Sequence, residues 1–214
     1  MTPQDLNAAL EEAGLDPLPP DTGLRFLTYL DLLIRWNAKL NLTAIRDPKE
    51  ILRRHFVECI FAARMISETV ATLLDFGSGA GFPGIPIAIC RPETAVTLAE
   101  SQSKKAAFLR EAVRELGLKT SIYSGRVEAM PSGAVFDVVT LRAVDRMQDA
   151  VELAASRIAV GGRLLVMTSE SAAPDLQELA GMIWNPPVRM TWTEQQVVLT
   201  GHLSVPRETL LISR

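Results

Sequence analysis

The feature that most constrains the fold is a glycine-rich loop, in which four glycines fall between positions 77 and 84. Residues 70–76, directly before it, form a short apolar run of the kind found in buried strands of parallel sheets. Glycine lets the backbone turn sharply and approach a ligand with no Cβ in the way. Because ligands of open α/β sheets bind at the carboxyl ends of the strands, this loop predicts a binding site.

Strands and helices alternate after the loop, so we predict an α/β, Rossmann-like fold whose mostly parallel sheet is covered on both faces. Seven strands are expected, with an antiparallel carboxyl-terminal edge. Residues 1–68 are predicted to be a helical extension ahead of a ligand-binding domain at 69–214. Helices are predicted at 3–13, 21–41, 48–66, after 86, 103–116, 147–159 and 175–183, and strands at 70–76, 94–99, 120–123, 135–141, 163–167, 188–199 and 208–212.

The spacing of the glycines separates two classes of cofactor. A dinucleotide-binding loop reads GxGxxG, and Phe82 stands where its third glycine would be. Here Gly77, Gly79 and Gly81 form GxGxG, which leaves room for an amino-acid moiety in place of a pyrophosphate. Glu100 ends the next predicted strand, where a carboxylate accepts hydrogen bonds from a ribose diol and repels a 2′-phosphate, so NADP is disfavoured.

This glycine pattern resembles motif I of S-adenosylmethionine (AdoMet) methyltransferases, and the corresponding fold is that of the class I enzymes. The resemblance implies that the loop backbone contacts the methionine part of the cofactor and that Asp75 helps to hold its amino group. It also implies that the loop 125–128 meets the adenine, with Val127 on the ring and Glu128 beside it.

The segment after the fourth predicted strand limits the choice of methyl acceptor. It lacks the Asp/Asn-Pro-Pro-aromatic motif of many amino-group methyltransferases, and neither Cys59 nor Cys90 is placed as the nucleophile of a cytosine-C5 enzyme. No general base is expected, which suits guanine N7 and other neutral nucleophiles that attack a sulfonium methyl without deprotonation. Arg142 is the candidate catalytic residue, through a phosphate or guanine O6, with an ion pair to Asp145 or Glu100 as the alternative.

Six segments spread over nearly the whole chain carry a more specific resemblance: 36–45, His55, 75–86, 100–109, 126–128 and 136–143. They resemble the bacterial small-subunit ribosomal RNA methyltransferase G family, also called glucose-inhibited division protein B. The resemblance implies AdoMet-dependent methylation of N7 of one guanine in 16S rRNA, near the decoding centre. The cofactor-binding residues that it and the motifs imply are Asp75, Gly77, Ser78, Gly79, Gly81, Phe82, Glu100, Ser101, Arg126, Val127, Glu128 and Arg142.

The chain departs from the family pattern at two places. Glu58 and Cys59 follow the histidine motif, where the family usually has Asp-Ser, and residues 167–169 read Met-Thr-Ser, where it usually has Lys-Gly. The second departure removes a positive charge near the expected entrance for RNA.

The distribution of charge favours a local RNA-binding face in spite of a net charge of −3. Residues 35–64 hold seven basic and three acidic side chains, and residues 100–126 hold six and three. Lys and Arg contacts to phosphates supply most of the sequence-independent affinity for RNA. Trp36 and Phe82 are candidates for stacking on a splayed base, with a core position as the alternative for Trp36. The predicted RNA-binding residues are Lys39, Asn41, Arg53, Arg54, His55, Lys104 and Lys105.

Composition disfavours several other classes of protein. No apolar run reaches the roughly 18 residues that span a bilayer, and the first residues lack the layout of a signal peptide. Two cysteines and two histidines give no disulfide framework and no metal site. We therefore expect a cytoplasmic monomer whose partner is 16S rRNA or the small ribosomal subunit. Two alternatives stay open: an AdoMet-dependent small-molecule methyltransferase, and a non-catalytic nucleotide-binding regulatory domain.

Overall fold

The computed structural model describes residues 1–179, 181–193 and 195–204, and its amino-terminal part is helical, as predicted. Helix α1, Pro3–Glu12, begins with a capping box in which the side chains of Thr2 and Asp5 each accept a hydrogen bond from the other's backbone. Helix α2, Pro20–Leu40, buries one face and ends at Asn41, which adopts the left-handed conformation that often terminates helices.

A long helical segment follows and contains a π-helical turn. Helix α3, Pro48–Ile51, is capped by Asp47 and runs through the π-helical turn Leu52–Val57 into helix α4, Glu58–Arg64. Such turns often mark functional sites. The sequence pattern predicts a helix here but gives no sign of the wider turn.

The strands are β1 Thr72–Phe76, β2 Ala95–Ala99, β3 Ser121–Tyr123, β4 Phe136–Arg142, β5 Ile158–Ser169, β6 Met182–Trp184, β7 Val188–Arg189 and β8 Gln196–Leu203. They form one sheet in the order β3-β2-β1-β4-β5-β8-β6, and β7 pairs with β8. Strands β1 to β5 are parallel, whereas β8 runs antiparallel to β5, β6 and β7. The intervening helices are α5 Gly84–Cys90, α6 Ser103–Glu115, α7 Met147–Ala155 and α8 Ala173–Gln177.

The predicted fold class is confirmed, but the part of the chain that the structure describes contains eight strands rather than seven. The helix predicted at 175–183 is wrong in its second half, because Met182–Trp184 forms β6 by pairing with β8. The strand predicted at 188–199 divides into β7 and β8, and β5 begins at Ile158 rather than at residue 163. The strand predicted at 208–212, with the hairpin that it would form, lies outside the described residues.

The amino-terminal helices share one hydrophobic core with the sheet. A single buried cluster joins side chains of α1 and α2 to Ile85 of α5 and Phe108 of α6. The division at residues 68 and 69 stays a prediction, since packing across it is continuous. None of the described helices is both long and apolar enough to cross a bilayer.

Aromatic rings lie at the centre of this core. The ring of Tyr29 stacks on Phe56 at a centroid distance of 5.3 Å and lies 5.6 Å from the ring of Phe82. Trp36 is partly buried against Phe108 in an edge-on arrangement, with 5.8 Å between centroids. Trp36 therefore occupies the core position that the sequence left as its alternative.

Candidate functional site

The glycine loop connects β1 to α5, and its backbone explains why glycine is needed. Gly77, Gly79 and Gly81 have φ values of 71°, 56° and 91°, in the left-handed region that favours glycine. Space is also limiting at Gly81, where a Cβ would lie 2.5 Å from Ile85 Cδ1 and 2.8 Å from the Tyr29 hydroxyl oxygen. The shape of the loop therefore depends both on its backbone conformation and on its packing against α2.

Asp75 lies behind this loop rather than in an open cleft. Its buried carboxylate accepts hydrogen bonds from Thr140 Oγ1 at 2.9 Å and from the backbone N–H of Gly84 at 3.2 Å. Burial raises the pKa of Asp75 to about 6. This differs from the prediction that Asp75 holds the amino group of a cofactor, because α5 begins directly over the strand end and its first residue takes the carboxylate.

Glu100, at the end of β2, is held in one orientation by two backbone groups. The N–H of Gly79 donates to Oε2 at 2.9 Å, and the N–H of Gln102 donates to Oε1 at 2.7 Å. Each carboxylate oxygen keeps a second lone pair, since a carboxylate accepts about four hydrogen bonds. Glu100 lines a cleft and is therefore placed to accept from a diol.

A groove with two lobes runs across the carboxyl ends of β1, β2 and β4. The inner lobe, of about 440 Å³, includes Glu100 and Arg142, and the outer lobe, of about 270 Å³, includes Val127; the two share Gly77, Val144 and Asp145. Of the predicted cofactor-binding residues, the inner lobe is lined by Gly77, Ser78, Gly79, Phe82, Glu100 and Arg142, and the outer lobe by Ser101, Arg126, Val127 and Glu128. Asp75 and Gly81 line neither lobe.

The chemistry of the groove fits the predicted cofactor. Phe76, Ala99 and Val127 give the outer lobe a buried apolar floor that suits an adenine ring. Glu100 supplies oriented carboxylate oxygens for a ribose, and the open glycine backbone of the inner lobe suits an amino-acid moiety.

Arg142, at the end of β4, stands at the far side of the inner lobe in a cluster of contacts. Its Nη2 donates to Glu58 Oε2 at 2.6 Å and to the carbonyl oxygen of Arg54 at 2.7 Å, while Nη1 lies 3.1 Å from Cys59 Sγ. The guanidinium carbon also lies 5.6 Å from the centroid of the Phe82 ring. The ion pair predicted for Arg142 with Asp145 or Glu100 is replaced by one with Glu58.

Glu58 and Cys59 are therefore site residues that reasoning from the sequence missed. The Glu58 side chain is 3% exposed and that of Arg142 14%. Burial raises the pKa of Glu58, and the charge of Arg142 acts in the opposite direction. Burial likewise raises the pKa of the Cys59 thiol to about 12, so Cys59 packs as a neutral thiol. The feature of the sequence that could have identified them is the departure from the family's Asp-Ser at these two positions.

His55, from the π-helical turn, lies between Arg142 and the loop after α2. Arg142 Nη2 is 3.1 Å from His55 Nδ1, and Thr43 Oγ1 is 2.8 Å from Nε2. Burial, reinforced by the charge of Arg142, lowers the pKa of His55 to about 3. His55 Nδ1 also lies 3.1 Å from the carbonyl oxygen of Arg54. A neutral ring protonated at Nε2 accepts from Arg142 at Nδ1, whereas one protonated at Nδ1 donates to Arg54, and either form can pair with the Thr43 hydroxyl. The ring also lies 4.6 Å from that of Phe82.

The predicted RNA-binding residues do not form one patch. His55 and Lys105 line the inner lobe, and Arg54 lies beside it in a neighbouring pocket. Arg53 points toward α1, where it pairs with Glu12 at 3.8 Å. The remaining three, Lys39, Asn41 and Lys104, are exposed.

Within the described ranges no group of histidine, cysteine and acidic side chains is arranged to hold a metal ion. Both cysteines are free thiols.

Comparison with known sequences identifies relatives over most of the chain. Residues 24–184 match the family described as rRNA small subunit methyltransferase G. A protein of that name from Xanthomonas campestris pv. campestris is 42% identical over 168 residues, which cover 77% of this chain and 78% of the relative. Another from Xylella fastidiosa is 45% identical over 159 residues, or 73% of this chain and 74% of the relative.

Solved structures share the fold at low sequence identity. A glycopeptide N-methyltransferase in complex with S-adenosyl-L-methionine superposes with a TM-score of 0.60 at 13% identity, covering 70% of this chain and 94% of that one. A mitomycin 7-O-methyltransferase gives a TM-score of 0.59 at 19% identity, covering 85% of this chain and 68% of that one. Both likenesses concern the fold alone.

Proposed function

This chain belongs to the rRNA small subunit methyltransferase G family, and we propose that it methylates N7 of one guanine in 16S rRNA near the decoding centre. The activity of the family is AdoMet-dependent transfer of a methyl group to small-subunit rRNA. The choice of guanine N7 and the residues named below go further and form the proposal.

The single observation that carries the cofactor assignment is the clamped carboxylate of Glu100 beside the glycine loop. When bound, AdoMet supplies an electrophilic sulfonium methyl group. Glu100 would hold its ribose hydroxyls, Val127 would pack on the adenine, and the backbone of Gly77 and Gly79 would face the methionine part. Gly81 acts indirectly, by keeping the loop in shape.

The titratable groups around Arg142 support an acceptor that needs no deprotonation. A general base works best when its pKa lies near the operating pH, and the pKa of His55 is lowered to about 3 by burial. Glu58 is occupied by its ion pair with Arg142, and Asp75 is buried behind the loop. Guanine N7 attacks through an in-plane lone pair, so alignment and electrostatics suffice. Arg142 would align the base by donating to O6, next to N7.

Positive charge around the inner lobe supports an RNA substrate over a small molecule. Lys105 lines the lobe, and the exposed Arg54 lies next to it. Both are placed to contact the phosphates on either side of a base that enters the groove. The amino-terminal helices pack into the core through Tyr29 and Phe56 instead of forming an apolar lid, which disfavours the small-molecule alternative.

The decisive experiment supplies the protein with methyl-labelled AdoMet and small subunits from a strain that lacks this modification, with naked 16S rRNA in parallel. Label in the rRNA is expected, and reduction with borohydride followed by aniline should cleave the chain at the labelled nucleotide, because this treatment breaks RNA at 7-methylguanosine. Label without cleavage would place the methyl group on another atom. No label despite AdoMet binding would reject the substrate and leave the non-catalytic alternative.

A further inference from the structure

A second pocket adjoins the cofactor groove at Arg142. We call it the Glu58 pocket; its volume is about 300 Å³, and it shares Arg142, His55 and Ala143 with the inner lobe. The pocket therefore begins where the groove ends. Its other walls are formed by Ile45, Arg54, Glu58, Met147, Met167, Thr168, Ser169 and Gln196.

Glu58 gives this pocket a carboxylate that can accept hydrogen bonds. Its side chain is 3% exposed, and its Oε2 accepts from Arg142 at 2.6 Å. In the described part of the chain, Oε1 has no hydrogen-bond partner. This oxygen is not sealed from the pocket and keeps its lone pairs, so it can accept from a ligand that enters. The apolar side chains of Met147 and Met167 line the same pocket and suit the faces of a flat ring.

The hydrogen-bonding groups that line the groove and the pocket match, in order, those along the edge of guanine. Going around the base from N7, the next groups are the O6 acceptor, then the N1–H donor, then the N2 amino donor. Going from the cofactor groove into the pocket, the order is the open groove, the Arg142 donors and the Glu58 carboxylate. With N7 directed into the groove, O6 meets a donor and the Watson–Crick edge meets an acceptor.

We propose that the target guanine enters the Glu58 pocket and that Glu58 recognises its N1–H and N2 amino groups. This inference rests on the proposed function and identifies the residue that selects the base. Adenine is rejected because its N1 is an acceptor and faces the carboxylate with a second lone pair, so that a buried acceptor stays unpaired. Thr168 and Ser169, in the segment that departs from the family pattern, also line this pocket.

The test uses 16S rRNA in which the guanine methylated by the wild-type protein is replaced by inosine, which keeps N7, O6 and N1–H but lacks the N2 amino group. We expect the wild-type kcat/KM to fall at least about tenfold from guanine to inosine, as for the loss of one hydrogen bond to a charged group. In Glu58→Gln the guanine rate should fall further, and the guanine-to-inosine ratio should approach one. Glu58→Asp, which keeps a carboxylate, should retain the preference.

A purely structural role for Glu58 would give a different result. If Glu58 only held Arg142 in place, Glu58→Gln would lower both rates and leave the ratio as in the wild type, and the proposal would be wrong. Glu50→Gln makes the same change on an exposed side chain of α3 and should leave the ratio unchanged. AdoMet affinity, measured in each variant, reports whether the fold survives. Should Glu58→Gln fail to fold, equal wild-type rates on guanine and inosine would overturn the proposal by themselves.

Different outcomes would disprove the proposed function and the proposed role of Glu58. Absence of 7-methylguanosine after reaction with the wild-type protein removes the proposed function. Formation of the N7 methyl group at equal rates on guanine and inosine leaves that function intact and removes only the role of Glu58.

Discussion

The hydroxyl of Tyr29, in the middle of α2, donates a hydrogen bond to the carbonyl oxygen of Ala80 in the glycine loop. Both residues are buried, so no water is available to replace this bond. The amino-terminal helices therefore take a direct part in shaping the loop that faces the cofactor groove.

Replacing Tyr29 by Phe should show this coupling. The variant leaves the buried Ala80 carbonyl without its donor, which costs about 1–3 kcal/mol. We expect a lower free energy of unfolding in urea and a severalfold weaker affinity for AdoMet. Tyr123→Phe, on the partly buried β3, removes a hydroxyl with no hydrogen-bond partner in the described part and serves as the control. Equal effects of the two substitutions would contradict the role of Tyr29.

Substituting Gly81 by Ala should destabilise the protein by about 2–4 kcal/mol, because strain at positive φ adds to overpacking. The added Cβ would lie 2.5 Å from Ile85 Cδ1, at a φ of 91°. Gly133→Ala places a Cβ with no atom within 4 Å and should be close to neutral. Thermal unfolding of the two variants checks the difference, and a stable Gly81→Ala protein would argue against a packed loop.

Glu100→Ala should weaken AdoMet binding by about 10- to 100-fold, the loss expected for hydrogen bonds to a charged group. Isothermal titration measures this loss, with NAD titrated beside AdoMet. Glu93→Ala, on an exposed residue before β2, should bind AdoMet like the wild type. Unchanged affinity in Glu100→Ala would remove the ribose role, and tighter binding of NAD than of AdoMet would remove the cofactor assignment.

The stability of the protein should decrease in mild acid because of His55. Burial lowers the pKa of His55 to about 3 in the folded protein, whereas an unfolded histidine titrates near pH ~6.5. The unfolded chain therefore binds a proton that the folded protein does not, and the stability present above about pH 6.5 is lost as the pH falls. Between pH 7.5 and 5 we expect the wild type to lose about 1–2 kcal/mol more than His55→Gln.

Urea unfolding at both pH values measures this difference. The raised pKa of Asp75, which has the opposite effect on stability, is common to both proteins and cancels in the comparison. His202→Gln, on the exposed side of β8, should behave like the wild type. An equal loss in wild type and His55→Gln would show that His55 is not buried as a neutral ring.

Neutralising Lys105 or Arg54 should weaken RNA binding and make it less sensitive to salt. Each lost phosphate contact lowers the slope of log affinity against log salt by about 0.7–1. Lys119→Ala, exposed in the turn after α6 and thus at the amino ends of the strands, is the matched control. Filter binding over a range of salt concentrations checks the slopes. A slope that Lys105→Ala leaves unchanged would place Lys105 away from the RNA backbone.

The sheet and the glycine loop could be predicted because their signals are local. The apolar run before Gly77 and the glycine spacing identify β1 and the loop without knowledge of the remaining chain. Strand β6 could not be predicted in this way, because residues 182–184 become a strand only by pairing with β8.

Only those parts of the site that depend on local sequence signals could be predicted. Glu100 follows a recognisable strand and lines the groove, and its contact with a ribose stays a prediction. The ion pair of Arg142 with Glu58 joins residues 84 positions apart and depends on how α4 packs against the end of β4. The hydrogen bond between Asp75 and Gly84 could not be predicted either, because it depends on where α5 begins.

The hydrogen bond between Tyr29 and Ala80 has a consequence for how the protein folds during its synthesis. Its two residues are 51 positions apart, and the helical partner is synthesised first. Helix α2 is therefore already available when the glycine loop leaves the ribosome, and chains fold from their amino-terminal parts during translation. An internal start codon after α2 would yield a product that keeps every residue of the loop and lacks the partner that shapes it.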